Sequence, residues 1–297
     1  MSVMNIQGLS RISSPVPDLQ RQQLPPASYG RLASRLLRRY LLAPDHPSKL
    51  RLVGWFYRMA GRRRILVECR HDFVLAVDHR DYVQRTIFET RDWEPEIGAF
   101  LKEELRADDV FYDIGANIGY FSCLAATVSR ARVFAFEPDP LTATVLRENL
   151  KLNSLSGDQV CVTERGVSDS DGEAEFHRFS IANVGKSGFE VEGGVAAFPV
   201  SCCTLDCFVL EGNHPSPTVM KIDTEGWEAH VLAGGARLFA RHPPRAVVFE
   251  AYCDAEASLT EVNLRRFFEN HGYEIRHLPR ASGRIEPNEN FVARLSR

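Results

Sequence analysis

Apolar and polar positions along this 297-residue chain predict strands and helices in alternation. Short apolar runs, which are typical of buried strands, are followed by longer stretches with apolar residues at helical spacing. The predicted strands are 109–113, 132–136, 159–163, 218–222 and 245–250. The predicted helices are 119–129, 139–152, 227–240 and 259–270. This order predicts an α/β fold with a mostly parallel sheet and helices on both of its faces.

Two further pairs of apolar segments predict antiparallel hairpins. Segments 273–278 and 291–295 surround a loop rich in Gly, Pro and Asn, and we expect them to complete the sheet. Segments 65–69 and 73–77 predict a β-hairpin ahead of the main fold. A helical pattern begins at Asp81, and a further helix has Pro95 in its first turn.

The N-terminal part of the chain has a different composition. Residues 1–28 are rich in Pro, Gln and Ser, which predicts a loose arm. Segment 31–42 has Leu at helical spacing with four arginines, and segment 49–60 predicts another short helix. We interpret the first helix as packing its Leu face on the domain rather than on a membrane. The sequence therefore predicts an N-terminal part over 1–80 and an α/β domain over 81–297.

Composition excludes several classes of protein. With 44% hydrophobic and 25% charged residues, the chain is typical of a globular enzyme. A net charge of −3 gives no whole-chain attraction to nucleic acid. No apolar run approaches the roughly 20 residues that span a bilayer, and the start lacks the pattern of a secretory signal. Seven cysteines, an odd number placed within apolar runs, predict reduced thiols and a cytoplasmic location.

A candidate cofactor site follows the first strand of the α/β domain. Asp113 lies where that strand ends, which is the edge at which open α/β sheets bind ligands. Gly115 and Gly119 lack a Cβ atom and allow close approach of the backbone to a ligand. Glu137 ends the second strand, about 20 residues beyond the glycine turn, where a carboxylate can accept bonds from ribose hydroxyls.

The same parts could serve NAD or S-adenosylmethionine (SAM). The dinucleotide fingerprint G-x-G-x-x-G is absent, because Asn117 stands where its second glycine would be. A carboxylate at Asp113 would also repel a pyrophosphate. An acid at that position instead suits the ammonium of the methionine part of SAM, so the residues favour SAM.

Three motifs resemble the FkbM family of class I SAM-dependent methyltransferases. They are the segments 111–122 (FYDIGANIGYFS), 136–138 (FEP) and 221–226 (KIDTEG). The resemblance extends from about residue 81 to about residue 251. It implies a Rossmann-like fold with a seven-stranded sheet, SAM as the methyl donor, and O-methylation of hydroxyls on natural products, sugars or other small molecules.

The resemblance also implies roles for individual residues. Those that would surround the methionine part of SAM are Asp113, Gly115, Asn117 and Gly119. Glu137, with the adjacent Pro138, would bind the ribose. The residues that would line the adenine are Gly166, Val167 and Ser168. Glu94 would lie near the methionine end or cover the site; alternatively, it is only a favourable charge at a helix N-terminus.

The motif Lys221-Ile222-Asp223-Thr224-Glu225-Gly226 supplies the candidate catalytic residues, Lys221, Asp223 and Glu225. Lys221 and Asp223 point to the same face of a strand. Either Asp223 or Glu225 could take the proton of an acceptor hydroxyl. Alternatively, they bind the SAM ammonium or an acceptor hydroxyl, or Glu225 caps the following helix.

A metal and other acceptors are the remaining alternatives. Asp223 with Glu250 or Asp254 could bind a divalent cation, but the sequence shows no aspartate-rich cluster, and we predict no metal.

The loop 180–194 could close on the acceptor. The alternative acceptors are a protein, a peptide or RNA, and a SAM-binding protein without turnover is a third hypothesis. The N-terminal helices could form a homodimer.

Overall fold

A computed structural model of the chain describes residues 64–155, 157–179, 183–189, 194–280, 283 and 285–296. The N-terminal arm and the helices expected at 31–42 and 49–60 lie outside the described residues. The division of the chain between residues 80 and 81 stays a prediction.

The described residues form strands and helices in alternation. The strands are β1 (Ile65–Glu68), β2 (Val74–Val77), β3 (Val110–Ile114), β4 (Arg132–Phe136), β5 (Val160–Thr163), β6 (Gly166–Val167), β7 (Gly172–Arg178), β8 (Ala196–Cys203), β9 (Val219–Ile222), β10 (Ala246–Tyr252), β11 (Tyr273–Leu278) and β12 (Asn288–Leu295). The α-helices are α1 (Tyr82–Thr90), α2 (Pro95–Glu104), α3 (Tyr120–Leu124), α4 (Pro140–Leu152), α5 (Glu228–Ala233), α6 (Ala236–Arg241) and α7 (Val262–Asn270).

Seven of these strands form the central sheet, in the order β11-β12-β10-β9-β3-β4-β5. The five strands from β10 to β5 are parallel to one another. The seven-stranded, mostly parallel sheet confirms the predicted fold class. Because parallel strands end at the same edge, the ends of β3, β4, β9 and β10 lie side by side.

The C-terminal hairpin completes this sheet, as the sequence predicts. Its second strand, β12, lies between β10 and β11 and is antiparallel to both. The last strand of the chain is therefore an inner strand, and β11 forms the edge.

Apolar side chains alternate between the two faces of the sheet, as expected for strands with helices on both sides. On one face, Phe111 and Val133 belong to a core that includes the β1–β2 hairpin and the helices α1 to α4. On the other face, Tyr112 and Phe134 pack in a second core with α5, α6 and α7. The hairpin therefore shares its core with the central sheet.

Three features differ from the sequence prediction. The helix expected over 227–240 is two helices, α5 and α6, because the chain turns at Gly234 and Gly235. The helix expected over 119–129 changes from α to π geometry at Ala125. Strands β6, β8 and β7 form a separate three-stranded sheet in that order, whereas the sequence predicted only strand-like segments on either side of the loop 180–194.

The seven cysteines all lie in the described part of the chain and are free thiols. Across the same part, no helix has both the length and the apolar character that crossing a bilayer requires.

Candidate functional site

A cleft lies between the carboxyl edge of the central sheet and the three-stranded sheet β6-β8-β7, which we call the covering sheet. It contains about 600 Å³ of space that atoms do not fill, part of it open to solvent. The predicted site residues that line it are Gly115, Asn117, Glu137, Pro138, Gly166, Val167, Asp223 and Glu225. The structure therefore brings eight of the predicted residues together around one cavity.

The glycine turn after β3 forms one wall of this cleft. The backbone N–H groups of Gly115 and Ala116 both donate to the carbonyl of Phe136, which joins the turn to the end of β4. Gly115 has a φ of +77°, and a Cβ atom there would lie 1.8 Å from the carbonyl oxygen of Asp223. The glycine is therefore required by the contact between the turn and the end of β9.

Gly119 has a similar structural reason. A Cβ atom at this position would lie 2.3 Å from Cδ1 of Leu146 on α4. Gly119 is not among the residues that line the cleft, and it allows α3 to pack closely against α4.

Glu137 is fixed at the end of β4 by two backbone groups. Its Oε2 accepts from the N–H of Asn117 at 2.9 Å, and its Oε1 accepts from the N–H of Asp139 at 3.0 Å. Burial and the neighbouring Asp139 raise the pKa of Glu137 to about 8. The carboxylate is thus oriented before any ligand arrives, and each oxygen keeps a lone pair for a further donor.

Asp113 lies beneath the turn rather than in the cleft lining. It is completely buried, and its Oδ2 accepts from the hydroxyl of Ser122 at 2.6 Å. Its Oδ1 lies 3.7 Å from Nζ of Lys221. Burial raises the pKa of Asp113, and the Lys221 ammonium opposes that rise.

Lys221 organises this part of the site. Its Nζ lies 3.0 Å from Oδ2 of Asp223 and donates to the carbonyl of Gly115 at 3.3 Å. Burial lowers the pKa of Lys221, but the adjacent carboxylates of Asp223 and Asp113 outweigh burial and hold the pKa above its ordinary range. Lys221 is therefore a charged partner for these carboxylates.

Three carboxylates meet beyond Lys221. Oxygen atoms of Asp223, Glu225 and Glu250 all lie within 4.8 Å of one another. Burial and Asp223 raise the pKa of Glu225 to about 8 and that of Glu250 to about 9. A divalent cation could use such ligands, and the absence of a metal stays a prediction. Asp254 is outside this group, because its Oδ1 accepts from two N–H groups of its own turn.

The turn before α5 is fixed by a residue that the sequence did not single out. The Oε1 atom of Glu228 accepts from the N–H of Thr224 at 2.7 Å and from the N–H of Gly226 at 3.4 Å. Glu228 therefore fixes the turn at 224–226, and α5 itself has no side-chain bond at its N-cap, Trp227. Glu225 instead lines the cleft with a φ of +55°, a conformation that is uncommon for residues other than glycine.

Glu94 lies at the acidic end of the site, although it does not line the cleft. It precedes α2 and makes no side-chain capping bond to that helix. Its Oε1 accepts from Nδ2 of Asn290 at 3.4 Å. Burial and Asp223 raise the pKa of Glu94 to about 7. The role of Glu94 at the methionine end therefore stays a prediction.

The covering sheet adds residues that sequence reasoning missed. Phe176 on β7 and Phe189 line the cleft with Gly166 and Val167 and give that end an apolar character. Arg178 joins the covering sheet to the loop between β4 and α4 through two bonds to Asp139, of 2.6 and 2.7 Å. Two aromatic residues beside a Gly-rich loop are a weak sequence signal, so only the fold identifies them.

Ser168 lies outside the lining of the cleft, unlike Gly166 and Val167, which were predicted with it. Its side chain is buried, accepts from Nε1 of Trp227 at 3.2 Å, and is not part of the cleft lining. Ser168 therefore connects the covering sheet to the segment before α5.

The sheet order, with β12 inserted antiparallel beside β10, and the cleft at the carboxyl ends of β3 and β4 define a class I methyltransferase fold. The sequence profile of the methyltransferase FkbM domain matches residues 113–275, which is more than half of the chain. The chain therefore belongs to the FkbM methyltransferase family, a SAM-dependent class of enzymes.

Individual relatives match over part of the chain. The hexuronic acid methyltransferase AglP of Haloferax volcanii is 37% identical over 141 residues, which cover 48% of this chain and 56% of AglP. The 31-O-demethyl-FK506 methyltransferase FkbM of Streptomyces tacrolimicus is 31% identical over 158 residues, covering 44% of this chain and 61% of that protein. The matched region thus spans less than two thirds of either relative.

Among solved structures, the chain is similar to the methyltransferase FkbM from Methylobacillus flagellatus KT. The two share 15% sequence identity and a TM-score of 0.46, over 84% of this chain and 71% of that one.

Proposed function

We propose that this chain is a SAM-dependent O-methyltransferase that methylates a hydroxyl of a small molecule, a natural product or a sugar. The observation that carries the proposal is that Asp223 and Glu225 line the same cleft as Glu137 and the glycine turn. One cavity therefore offers a place for a nucleoside and, next to it, acidic groups that can act on a hydroxyl.

The residues of the cleft fit the three chemical parts of SAM. Phe176, Phe189 and Val167 provide an apolar end for the adenine. Glu137 presents an oriented carboxylate for the ribose hydroxyls. Asp223 also lines the cleft, and its negative charge suits the ammonium and the sulfonium. When bound, SAM supplies a methyl group that is activated by its positively charged sulfur.

Glu225 is the better candidate for the base. Asp223 is held by the Lys221 ammonium at 3.0 Å, which suits it to orienting a hydroxyl. The pKa of Glu225 is raised to about 8, near the pH at which a general base is most effective. In this proposal, Glu225 accepts the proton of the acceptor hydroxyl and Asp223 positions the acceptor.

The names of the relatives support a hydroxyl acceptor. One relative is named for methylating a hexuronic acid, which is a sugar acid, and the other for methylating an oxygen of 31-O-demethyl-FK506. We extend to this chain only the acceptor atom and the broad class of small molecules.

Labelled SAM tests the proposal. The purified protein is incubated with methyl-labelled SAM and separate small-molecule, glycan, protein and RNA fractions. We expect label in a small molecule or glycan, little label with Glu225→Gln, and normal label with Glu256→Gln, an exposed glutamate in the turn after β10. Label only in protein or RNA would support the macromolecular alternative. No label in any fraction, despite binding of S-adenosylhomocysteine, would indicate a binding protein without turnover.

The proposal includes a cytoplasmic location, which the free cysteines support because reduced thiols persist in a reducing compartment. The homodimer stays a prediction.

A further inference from the structure

Glu94 has a backbone conformation that needs an explanation. Its φ of 40° and ψ of 69° place it in the left-handed region, between the end of α1 and the start of α2. Such a conformation is unfavourable for a residue with a long side chain, and it persists only where the surrounding structure holds it. Strain of this kind is common at functional sites, so the contacts that fix this segment are informative.

The side chain of Asp92 fixes the segment from its N-terminal side. Asp92 is buried, and its Oδ1 accepts from the hydroxyl of Tyr120 at 2.6 Å and from the N–H of Trp93 at 3.1 Å. Its Oδ2 lies 3.2 Å from Nε of Arg70. On the other side of Glu94, the chain enters α2 at Pro95. The position of Glu94 is therefore fixed from both directions.

Tyr120 connects this segment to the cofactor site. It is the first residue of α3 and directly follows Gly119, the last residue of the glycine turn. Its ring packs edge-on against Phe73 and Phe121, with centroid distances of 5.2 and 5.3 Å. The ring is thus part of the core, and the hydroxyl donates its hydrogen bond to Asp92.

The carboxylate held in this way lacks a full set of partners. Oε2 of Glu94 is shielded from solvent and has no hydrogen-bond partner among the described residues. Burial and the negative charge of Asp223 raise the pKa of Glu94, and the Lys221 ammonium opposes that rise. A buried carboxylate oxygen without a donor is unfavourable unless a ligand supplies one. A cationic donor would satisfy this oxygen and offset the repulsion between the two carboxylates.

We infer that Asp92 and Tyr120 are positioning residues that hold Glu94 ready for the ammonium of the cofactor's methionine part. The inference rests on the proposed function, since it assumes a SAM-type ligand in the cleft. The alternative is that the Tyr120–Asp92 bond only stabilises the fold.

Two ligands that differ in the methionine part distinguish these possibilities. S-adenosylhomocysteine carries the ammonium, whereas 5′-methylthioadenosine has the same nucleoside without the amino acid group. Calorimetry gives the Kd of both ligands for the wild type, Tyr120→Phe, Glu94→Gln and the double variant. Tyr112→Phe is the matched control, because it removes another largely buried tyrosine hydroxyl, one that donates to the carbonyl of Pro215.

We expect Tyr120→Phe to weaken S-adenosylhomocysteine binding about tenfold, the order expected when a charge-assisted contact is lost. Binding of methylthioadenosine should change less than about twofold, because that ligand makes no contact through an ammonium. Glu94→Gln should weaken S-adenosylhomocysteine binding at least as much, and adding Tyr120→Phe to it should have little further effect. Tyr112→Phe should leave the ratio of the two Kd values unchanged.

Equal weakening of both ligands by Tyr120→Phe would overturn the inference and leave a structural role. Additive effects in the double variant would also overturn it, because Tyr120 would then act independently of Glu94. If Tyr120→Phe does not fold, Asp92→Asn provides the same comparison. Failure of the wild type to bind S-adenosylhomocysteine would instead contradict the proposed function, so the two failures are distinguishable.

Discussion

Lys221 and Asp113 are directly opposite each other across the parallel pair β3 and β9, and the Lys221 ammonium lies 3.7 Å from Asp113. The two side chains are almost completely buried, at 3% and 0% exposed. The same ammonium reaches Asp223 and the carbonyl of Gly115. One buried cation therefore links the end of β3, the glycine turn and Asp223, which follows β9.

Replacement of Lys221 by Met should destabilise the protein strongly. The substitution leaves Asp113 buried without its charged partner, and breaking a buried ion pair in this way costs about 3–5 kcal/mol. Thermal or denaturant unfolding measures the loss. Lys102→Met, at an exposed position of α2, is the control and should change stability by less than about 0.5 kcal/mol.

A double variant checks the cause. If the loss arises from an uncompensated charge, adding Asp113→Asn to Lys221→Met should restore part of the stability. No recovery in the double variant would mean that Lys221 acts mainly through its other contacts.

Gly115→Ala should lower the free energy of unfolding more than Gly272→Ala, although both glycines have nearly the same φ. At Gly115 the new Cβ atom would collide with the carbonyl of Asp223, whereas at Gly272, with a φ of +79°, it would meet nothing within 4 Å. Gly272→Ala should cost about 1–2 kcal/mol from the left-handed conformation alone. Unfolding curves of the two variants compare these costs, and equal losses would show that the collision with β9 is relieved at no cost.

The pH dependence of stability should show the burial of Glu137. Because its pKa is raised to about 8 in the folded protein, its contribution to stability is full below its ordinary pKa and is lost as the pH rises through about 8. Between pH 5 and pH 8, the wild type should lose stability relative to Glu137→Gln, by up to about 1.4 kcal/mol per pH unit. Unfolding of both ligand-free proteins across this range measures the difference. Parallel curves would contradict the raised pKa.

Arg178→Gln should remove the two bonds that connect the covering sheet to the loop between β4 and α4. Arg178 is bound to Asp139 by two bonds, and the N–H of Asp139 donates to Glu137. Loss of the guanidinium leaves Asp139 buried without a cationic partner, and among the described residues only the N–H of Leu141 still donates to its side chain, so both stability and S-adenosylhomocysteine affinity should fall. Arg178→Lys should keep only part of the stability and of the affinity, because lysine cannot form the paired bonds.

An exposed ion pair provides the control for Arg178. Arg276 lies 3.3 Å from Glu274 at the surface, and its side chain is 80% exposed. Arg276→Gln should change neither Tm nor affinity measurably. A loss at Arg276 equal to that at Arg178 would show that the effect does not depend on the Asp139 contact.

The central sheet could be predicted because its strands are short apolar runs separated by clear helical patterns. The same reasoning missed the break at Gly234 and Gly235. A Cβ atom at Gly234 would lie 2.0 Å from the carbonyl of Ser168, a contact between segments 66 residues apart. The apolar pattern continues through the break, so local periodicity does not reveal it.

The site was predictable where a residue's role depends on its position at a strand end. Glu137 and Asp223 do line the cleft. The burial of Asp113 and its pairing with Lys221 depend on β9 lying next to β3, and the 104 residues between these strands do not specify that neighbour locally. Phe176 and Phe189 belong to the covering sheet, whose position over the cleft is set by long-range contacts such as that of Arg178 with Asp139.

Calorimetric titration with S-adenosylhomocysteine tests the cofactor site most directly. The wild type should bind in the micromolar range, NAD should not bind, and Glu137→Ala should weaken the binding strongly because the ribose loses its acceptor. Binding of NAD without binding of S-adenosylhomocysteine, in a folded sample, would contradict the account. Unchanged affinity in Glu137→Ala would contradict the placement of the ribose at the end of β4.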